Sequence, residues 1–130
     1  FKDLEPVLKL PIVGAISCGK GTIAHDRIDG YYTTPTDWLS SGDYFYLVAK
    51  GNSMSPRIQN GNHLLFRSQY TVENGQIAAI YYEGDIMCKK FLRINNNILL
   101  QSENYEYQPI IVTNNDFRVF GLLKKIIAEV

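Results

Sequence analysis

Between Tyr44 and Val112 the chain repeats one pattern, a short apolar run followed by a turn rich in glycine or asparagine. The runs are Tyr44–Lys50, His63–Arg67, Gln76–Tyr82, Ile86–Ile94, Ile98–Ser102 and Ile110–Val112. Gly51-Asn52, Asn60-Gly61-Asn62, Asn74-Gly75, Gly84-Asp85 and Asn95-Asn96-Asn97 separate most of them. Runs this short suit strands better than helices, which need about 10–12 residues to bury a face. Gly and Asn accept the backbone angles that tight hairpins require. The pattern therefore predicts an all-β, or β-rich, domain of twisted antiparallel sheets. The 9 Tyr and 6 Phe fit that class, and 130 residues are enough for one domain with a hydrophobic core.

The two ends are less regular. Leu8–Ile16, LKLPIVGAI, is apolar but broken by Pro11 and Gly14. It reads as a short strand feeding a small, exposed loop over Ser17–Gly21. Tyr31–Trp38 reads as turn-rich. At the far end Val119, Leu122, Leu123, Ile126, Ile127 and Val130 fall at helical spacing. A strand there must tolerate Gly121 and the pair Lys124-Lys125, so local pattern alone favours a helix.

Composition narrows the function. Thirteen basic residues balance thirteen acidic ones, for a formal net charge of zero. A domain that grips DNA by itself carries a basic excess, so this stretch is not expected to do so. No run approaches the length of a membrane span, and no signal peptide opens the chain. Cys18 and Cys88 are too few for a disulfide scaffold and read as free thiols in a reducing, cytoplasmic compartment. No metal-ligand spacing, phosphate loop or dinucleotide fingerprint is present, so no metal and no cofactor is expected. His25 and His63 lie far apart without a neighbouring motif, and His63 reads as a structural histidine at a strand start. The opening, Phe1 to Pro6, reads as the tail of a linker.

One serine stands out. Gly51-Asn52-Ser53-Met54-Ser55-Pro56 directly follows a strand, and glycine there lets the chain turn sharply and a substrate come close. Ser53 can present its Oγ and adjacent backbone N–H groups to one carbonyl, or can belong to an ordinary polar loop. A serine nucleophile needs a base. In Ile86–Leu92, strand alternation puts Met87, Lys89 and Phe91 on one face. Lys89 is thus either a lysine desolvated among apolar neighbours, which favours its neutral form, or a surface lysine guarding an edge strand.

Together these segments resemble the autoprotease domain of LexA and the phage repressors, a Ser–Lys self-cleaving family that also includes the UmuD-type proteins. GNSMSPRIQNGNHLLF resembles the family's G-x-S-M…(N/D)-G-(D/N)-x-L-L segment, and IMCKKFLR its lysine-bearing V-x-V-K-R-L. The serine-to-lysine separation, 36 residues (89 − 53), also matches. QSENYEYQPIIV resembles P-E-N-x-x-(F/Y)-x-P-I, and FRVFGLLKKII the closing strand F-x-(V/I)-x-G-x-V-x-x-V-I. PIVGAISCGKG resembles P-(L/I)-x-G-x-(V/I)-(A/S)-(A/C)-G, which holds the cut bond.

The resemblance implies a LexA/signal-peptidase-like β fold and a strand, not a helix, at the end of the chain. It implies Ser53 as nucleophile, Lys89 as general base and later acid, and the N–H groups of Asn52 and Ser53 as oxyanion donors. Cys18–Gly19 is the bond cut, which makes Cys18 substrate and not nucleophile. Lys90 stands where the family commonly has Arg. Residues 1–21 become linker and cleavage-site region, and 22–130 the autoprotease and dimerisation domain. A helix-turn-helix lies N-terminal in the family and is absent from this chain. The implied partners are a second copy, activated RecA filament as co-protease in the SOS response to DNA damage, and, alternatively, an anti-repressor. Operator DNA is met only through the N-terminal domain, on a palindrome matched to the dimer. Three alternatives remain open: a signal-peptidase-like enzyme, a catalytically silent repressor dimerisation module, and a UmuD-type polymerase accessory protein.

Overall fold

The computed structural model describes residues 6–19 and 22–128. Nine strands form one sheet, with a single 3-10 turn at Thr36–Trp38 and no α-helix among the described residues. The strands are β1 (Val7–Gly19), β2 (Thr22–Pro35), β3 (Tyr44–Val48), β4 (His63–Ser68) and β5 (Ile77–Tyr82). β6 (Asp85–Ile94), β7 (Asn97–Gln101), β8 (Ile110–Ile111) and β9 (Phe117–Ile127) follow. Their order across the sheet is β2-β1-β3-β4-β9-β5-β6-β7-β8. All neighbours are antiparallel except β1 and β3, which meet in parallel at Ile12↔Tyr46. The all-β class expected from the turn spacing is the class observed.

The central strands are apolar on both faces because both are covered. Phe45 and Leu47 of β3, Leu64 and Phe66 of β4, Ile77 and Ala79 of β5, and Phe120 of β9 share one cluster. On the opposite side Tyr44, Tyr46 and Leu65 form a second, and Ala78, Ile80, Tyr82, Phe91 and Val119 a third. Phe45 lies 5.5 Å from Phe66 and 5.6 Å from Phe120, ring to ring.

The last segment is a strand, as the family resemblance implied and the local periodicity did not. β9 fills the sheet between β4 and β5. Gly121 is what allows it: a Cβ there would lie 2.9 Å from Phe45 Cζ and 3.0 Å from Phe66 Cβ. The glycine makes room for two aromatic rings in the main cluster.

The N-terminal region departs from the expected short strand, loop and turn. β1 runs to Gly19 and pairs with β2 from Val7↔Pro35 to Gly19↔Thr22, with register shifts between Ile12 and Ile16. Ser17, Cys18 and Gly19 are therefore strand residues of a long hairpin arm, and Tyr31–Pro35 belongs to β2. Most of β2 is exposed, so it carries no alternating apolar signal. Ile16 and Ile23 still pack the arm against the main cluster.

Candidate active site

The loop between β3 and β4 is built to hold one serine at a fixed place. Gly51, at φ +80°, turns the chain as β3 ends. Ala49 and the Asn60–Asn62 turn close the loop base, through Ala49 N–H to Asn62 O and Gly61 N–H to Ala49 O, both 2.8 Å. Asn60 Oδ1 accepts from the Gly51 N–H and Asn62 Oδ1 from the Gln59 N–H, also at 2.8 Å. Inside the loop Met54 and Ile58 are buried in the main cluster and act as its anchors. The Asn-Gly-Asn turn is thus a clamp on the serine loop as well as a strand signal.

Ser53 lines a cleft of about 210 Å³ together with Lys50, Gly51, Met54 and Lys89. Ile12, Val13, Gly14 and Asp29, at the base of the hairpin arm, form its other wall. Arg27 ties that wall together, pairing with Asp29 at 2.8 Å and donating to Gly14 O at 3.0 Å. Among the described residues the N–H groups of Asn52 and Ser53 donate to no protein acceptor. They stay available to a ligand.

Lys89 is 9 % exposed. The alternation of β6 places it between Met87 and Phe91, which belong to the same apolar cluster. Burial lowers its pKa from the ordinary lysine value, with a smaller opposing effect from Cys88. Its Nζ donates to Ser102 Oγ at 2.8 Å and lies 5.8 Å from the centre of the Tyr107 ring. Among the described residues no hydrogen bond joins Lys89 Nζ to Ser53 Oγ. Cys88 also lines the cleft. Burial of its thiol pushes the pKa up to about 12, although the residue as a whole is only half-buried. A thiol held protonated in this way is no rival nucleophile.

The structure therefore brings Ser53 and Lys89 to one cleft and leaves other groups, Asn52 among them, outside its lining. Cys18 and Gly19 do not line the cleft. Cys18 lies on the far part of the hairpin arm, within electrostatic reach of Tyr81 on β5. The Tyr81 phenol pKa is raised by burial, then by Asp116, and to a smaller extent by Cys18. His25 packs 5.3 Å from Phe45, and His63 sits 5.0 Å from Tyr32, its buried Nδ1 without a hydrogen-bond partner among the described residues. Neither histidine reaches the cleft. Among the described residues no three metal-ligating side chains converge.

Two residues with a hand in this geometry were not singled out by sequence reasoning. Ser102 holds the lysine. The Asn104 N–H donates to Ser53 O, and its Nδ2 to Asn52 O, each at 3.0 Å. Both lie in a segment whose sequence pattern was visible, but only the fold brings that segment to the cleft.

Comparison with known proteins bears on the same residues. Residues 11–124 match the family described as Peptidase S24-like. The chain is 34% identical to the LexA repressor of Syntrophomonas wolfei over 132 aligned residues, covering 95% of this chain and 65% of that protein. It is 34% identical to the LexA repressor of Thermosipho melanesiensis over 97% of this chain and 64% of that one. For the LexA repressor of Corynebacterium diphtheriae the identity is 29%, over 95% of this chain and 54% of the relative. The chain thus spans between about half and two thirds of the length of these repressors.

Proposed function

The chain belongs to the Peptidase S24-like family, and from that premise we propose that it is the C-terminal domain of a LexA-like or phage repressor, which dimerises and inactivates its repressor by cutting itself at Cys18–Gly19. The observation that carries this reading is the buried, pKa-lowered Lys89 lining one cleft with Ser53. Neutral Lys89 takes the Ser53 proton, directly or after a small rotation of its side chain. Ser53 Oγ attacks the Cys18 carbonyl carbon, and the N–H groups of Asn52 and Ser53 receive the negative charge that develops on its oxygen. Lys89, now an ammonium, returns the proton to the Gly19 nitrogen as the peptide bond breaks. A water activated by Lys89 then hydrolyses the Ser53 ester, leaving a carboxylate on Cys18.

Cys18–Gly19 must enter the cleft for this to happen. The hairpin arm already forms one wall of it, so cutting requires the arm to bend at the register shifts between Ile12 and Ile16. An activated RecA filament, or an anti-repressor in its place, acts by favouring the docked arm, which is a population shift. The neutral charge of the chain fits operator contact through a helix-turn-helix outside these residues. No described helix is long and apolar enough to cross a membrane. A cytoplasmic place of action follows from the RecA and operator partners.

One observation favours a second reading. Lys89 donates to Ser102 and not to Ser53, as it would in a repressor module that dimerises without cutting. Incubation of the chain with RecA filament assembled on single-stranded DNA separates the two. Autoproteolysis predicts a concentration-independent, first-order rate and products ending at Cys18 and beginning at Gly19. A chain that stays whole with the filament and at high pH is the silent module.

A further inference from the structure

Three consecutive residues after β7 reach both halves of the cleft. Ser102 accepts from Lys89 Nζ at 2.8 Å. Asn104 donates to the carbonyls of Asn52 and Ser53. Glu103 between them pairs with Arg57 of the serine loop at 3.0 Å and with Lys90 of β6 at 3.5 Å. The Arg57 contact is an ion pair without hydrogen-bond alignment, since Glu103 Oε1 has no hydrogen-bond partner among the described residues. The segment thus straps the loop that carries the serine to the strand that carries the lysine.

Ser102 is also one of the positions where this chain departs from the family pattern. The related segment reads Pro-Glu-Asn, and here it reads Ser102-Glu103-Asn104. Proline offers no hydroxyl. We infer that Ser102 is a positioning residue, whose hydroxyl holds the Lys89 amine in the cleft for its exchange of a proton with Ser53. The inference rests on the autoproteolytic reading above.

The physical case has two parts. Ser102 and Lys89 are 8 % and 9 % exposed, so each is the other's substitute for water, and an unpaired buried amine would be costly. An amine nitrogen is tetrahedral. Fixing one N–H on Ser102 leaves its lone pair two remaining directions instead of free rotation, which lowers the cost of meeting the serine proton. The hydroxyl has a second, opposing effect. As an acceptor it favours the charged amine, so it holds the lysine pKa higher than burial alone would. The other charged or titratable groups near this amine are the Tyr107 ring, the Cys88 thiol within electrostatic reach on the other face of β6, and the Lys90–Glu103 pair.

These effects separate in a pH–rate profile of self-cleavage, followed on the 130-residue chain by mass spectrometry from about pH 7 to about pH 11. Ser102→Ala and Ser102→Pro are expected to lower the alkaline plateau roughly tenfold and to move the rising limb to lower pH. Ser102→Thr should restore both. An unchanged plateau and limb in the Ala and Pro variants, or faster cutting at every pH, would overturn the inference. Titration of the labelled Lys89 side chain by NMR, in Ser53→Ala and Ser53→Ala/Ser102→Ala chains, gives a readout that needs no cutting. The midpoint should fall when Ser102 is lost, and coinciding midpoints would also overturn it. A wild-type chain that never cuts overturns the autoproteolytic reading, and a midpoint difference in that case leaves the hydrogen bond a structural contact only.

Discussion

Lys89 sits where a lysine is poorly solvated, with Ser102 Oγ accepting a hydrogen bond from its amine. Its folded pKa is therefore below its unfolded one, and that sets the sign of a stability effect. Below the folded midpoint the lysine is charged in both states, and the burial penalty is felt in full. Between the two midpoints the unfolded chain binds more protons, so stability rises with pH. Above the ordinary lysine value of 10.5 the penalty has gone. Removing both partners avoids leaving either polar group alone. Lys89→Met/Ser102→Ala should therefore raise the thermal midpoint at neutral pH by on the order of a few degrees, and the gain over wild type should shrink as pH climbs. Scanning calorimetry at a series of pH values checks this, and a gain that grows with pH would contradict it. A gain that shrinks with pH would mark Lys89 as a residue kept for chemistry rather than for packing.

At the scale of elements, the decisive residue is Gly121. β9 lies between β4 and β5, and the absent Cβ admits Phe45 and Phe66. Gly121→Ala forces those rings to shift and should cost about 1–3 kcal/mol, measured by urea denaturation. A cost near zero would mean the main cluster is looser than its geometry indicates. The same strand shows where sequence pattern reaches its limit. Val119, Leu122, Leu123, Ile126 and Ile127 are spaced like a helix face, but β9 has neighbours on both edges and apolar clusters on both faces. Burial on two sides erases the alternation that marks a strand, and a register shift between β5 and β9 at Ala79/Ile80 disturbs what remains. β2 hides for the opposite reason. It is an edge strand, mostly exposed, and is held by pairing with β1. The strands from β3 to β8 were legible because Gly and Asn turns bound them. Ser53 and Lys89 were legible as possible partners from their local settings, and as a pair through the ordered family motifs. The Lys89–Ser102 bond was not legible, because two residues thirteen apart meet only once β6 and β7 fold into a hairpin.

At the scale of the whole molecule, the sheet divides the labour. Its central strands carry the buried clusters with the cleft beside them, and the β1–β2 hairpin lines the cleft through Ile12, Val13, Gly14 and Asp29 and carries Cys18–Gly19 further out. That arrangement suits the proposed self-cleavage. Ser53 and Lys89 line the cleft, while Cys18 and Gly19 lie outside its lining. In the proposed self-cleavage the switch would lie in the arm's position, a shift between open and docked arm. The most direct test is alkaline incubation of the purified chain without any partner, where more of Lys89 is neutral. Mass spectrometry should find a new N-terminus at Gly19, at a rate that rises with pH through a midpoint below the ordinary lysine value. Ser53→Ala and Lys89→Ala should each abolish it. Cleavage that survives either substitution, or that falls at another bond, would contradict the assignment of Ser53, Lys89 and Cys18–Gly19.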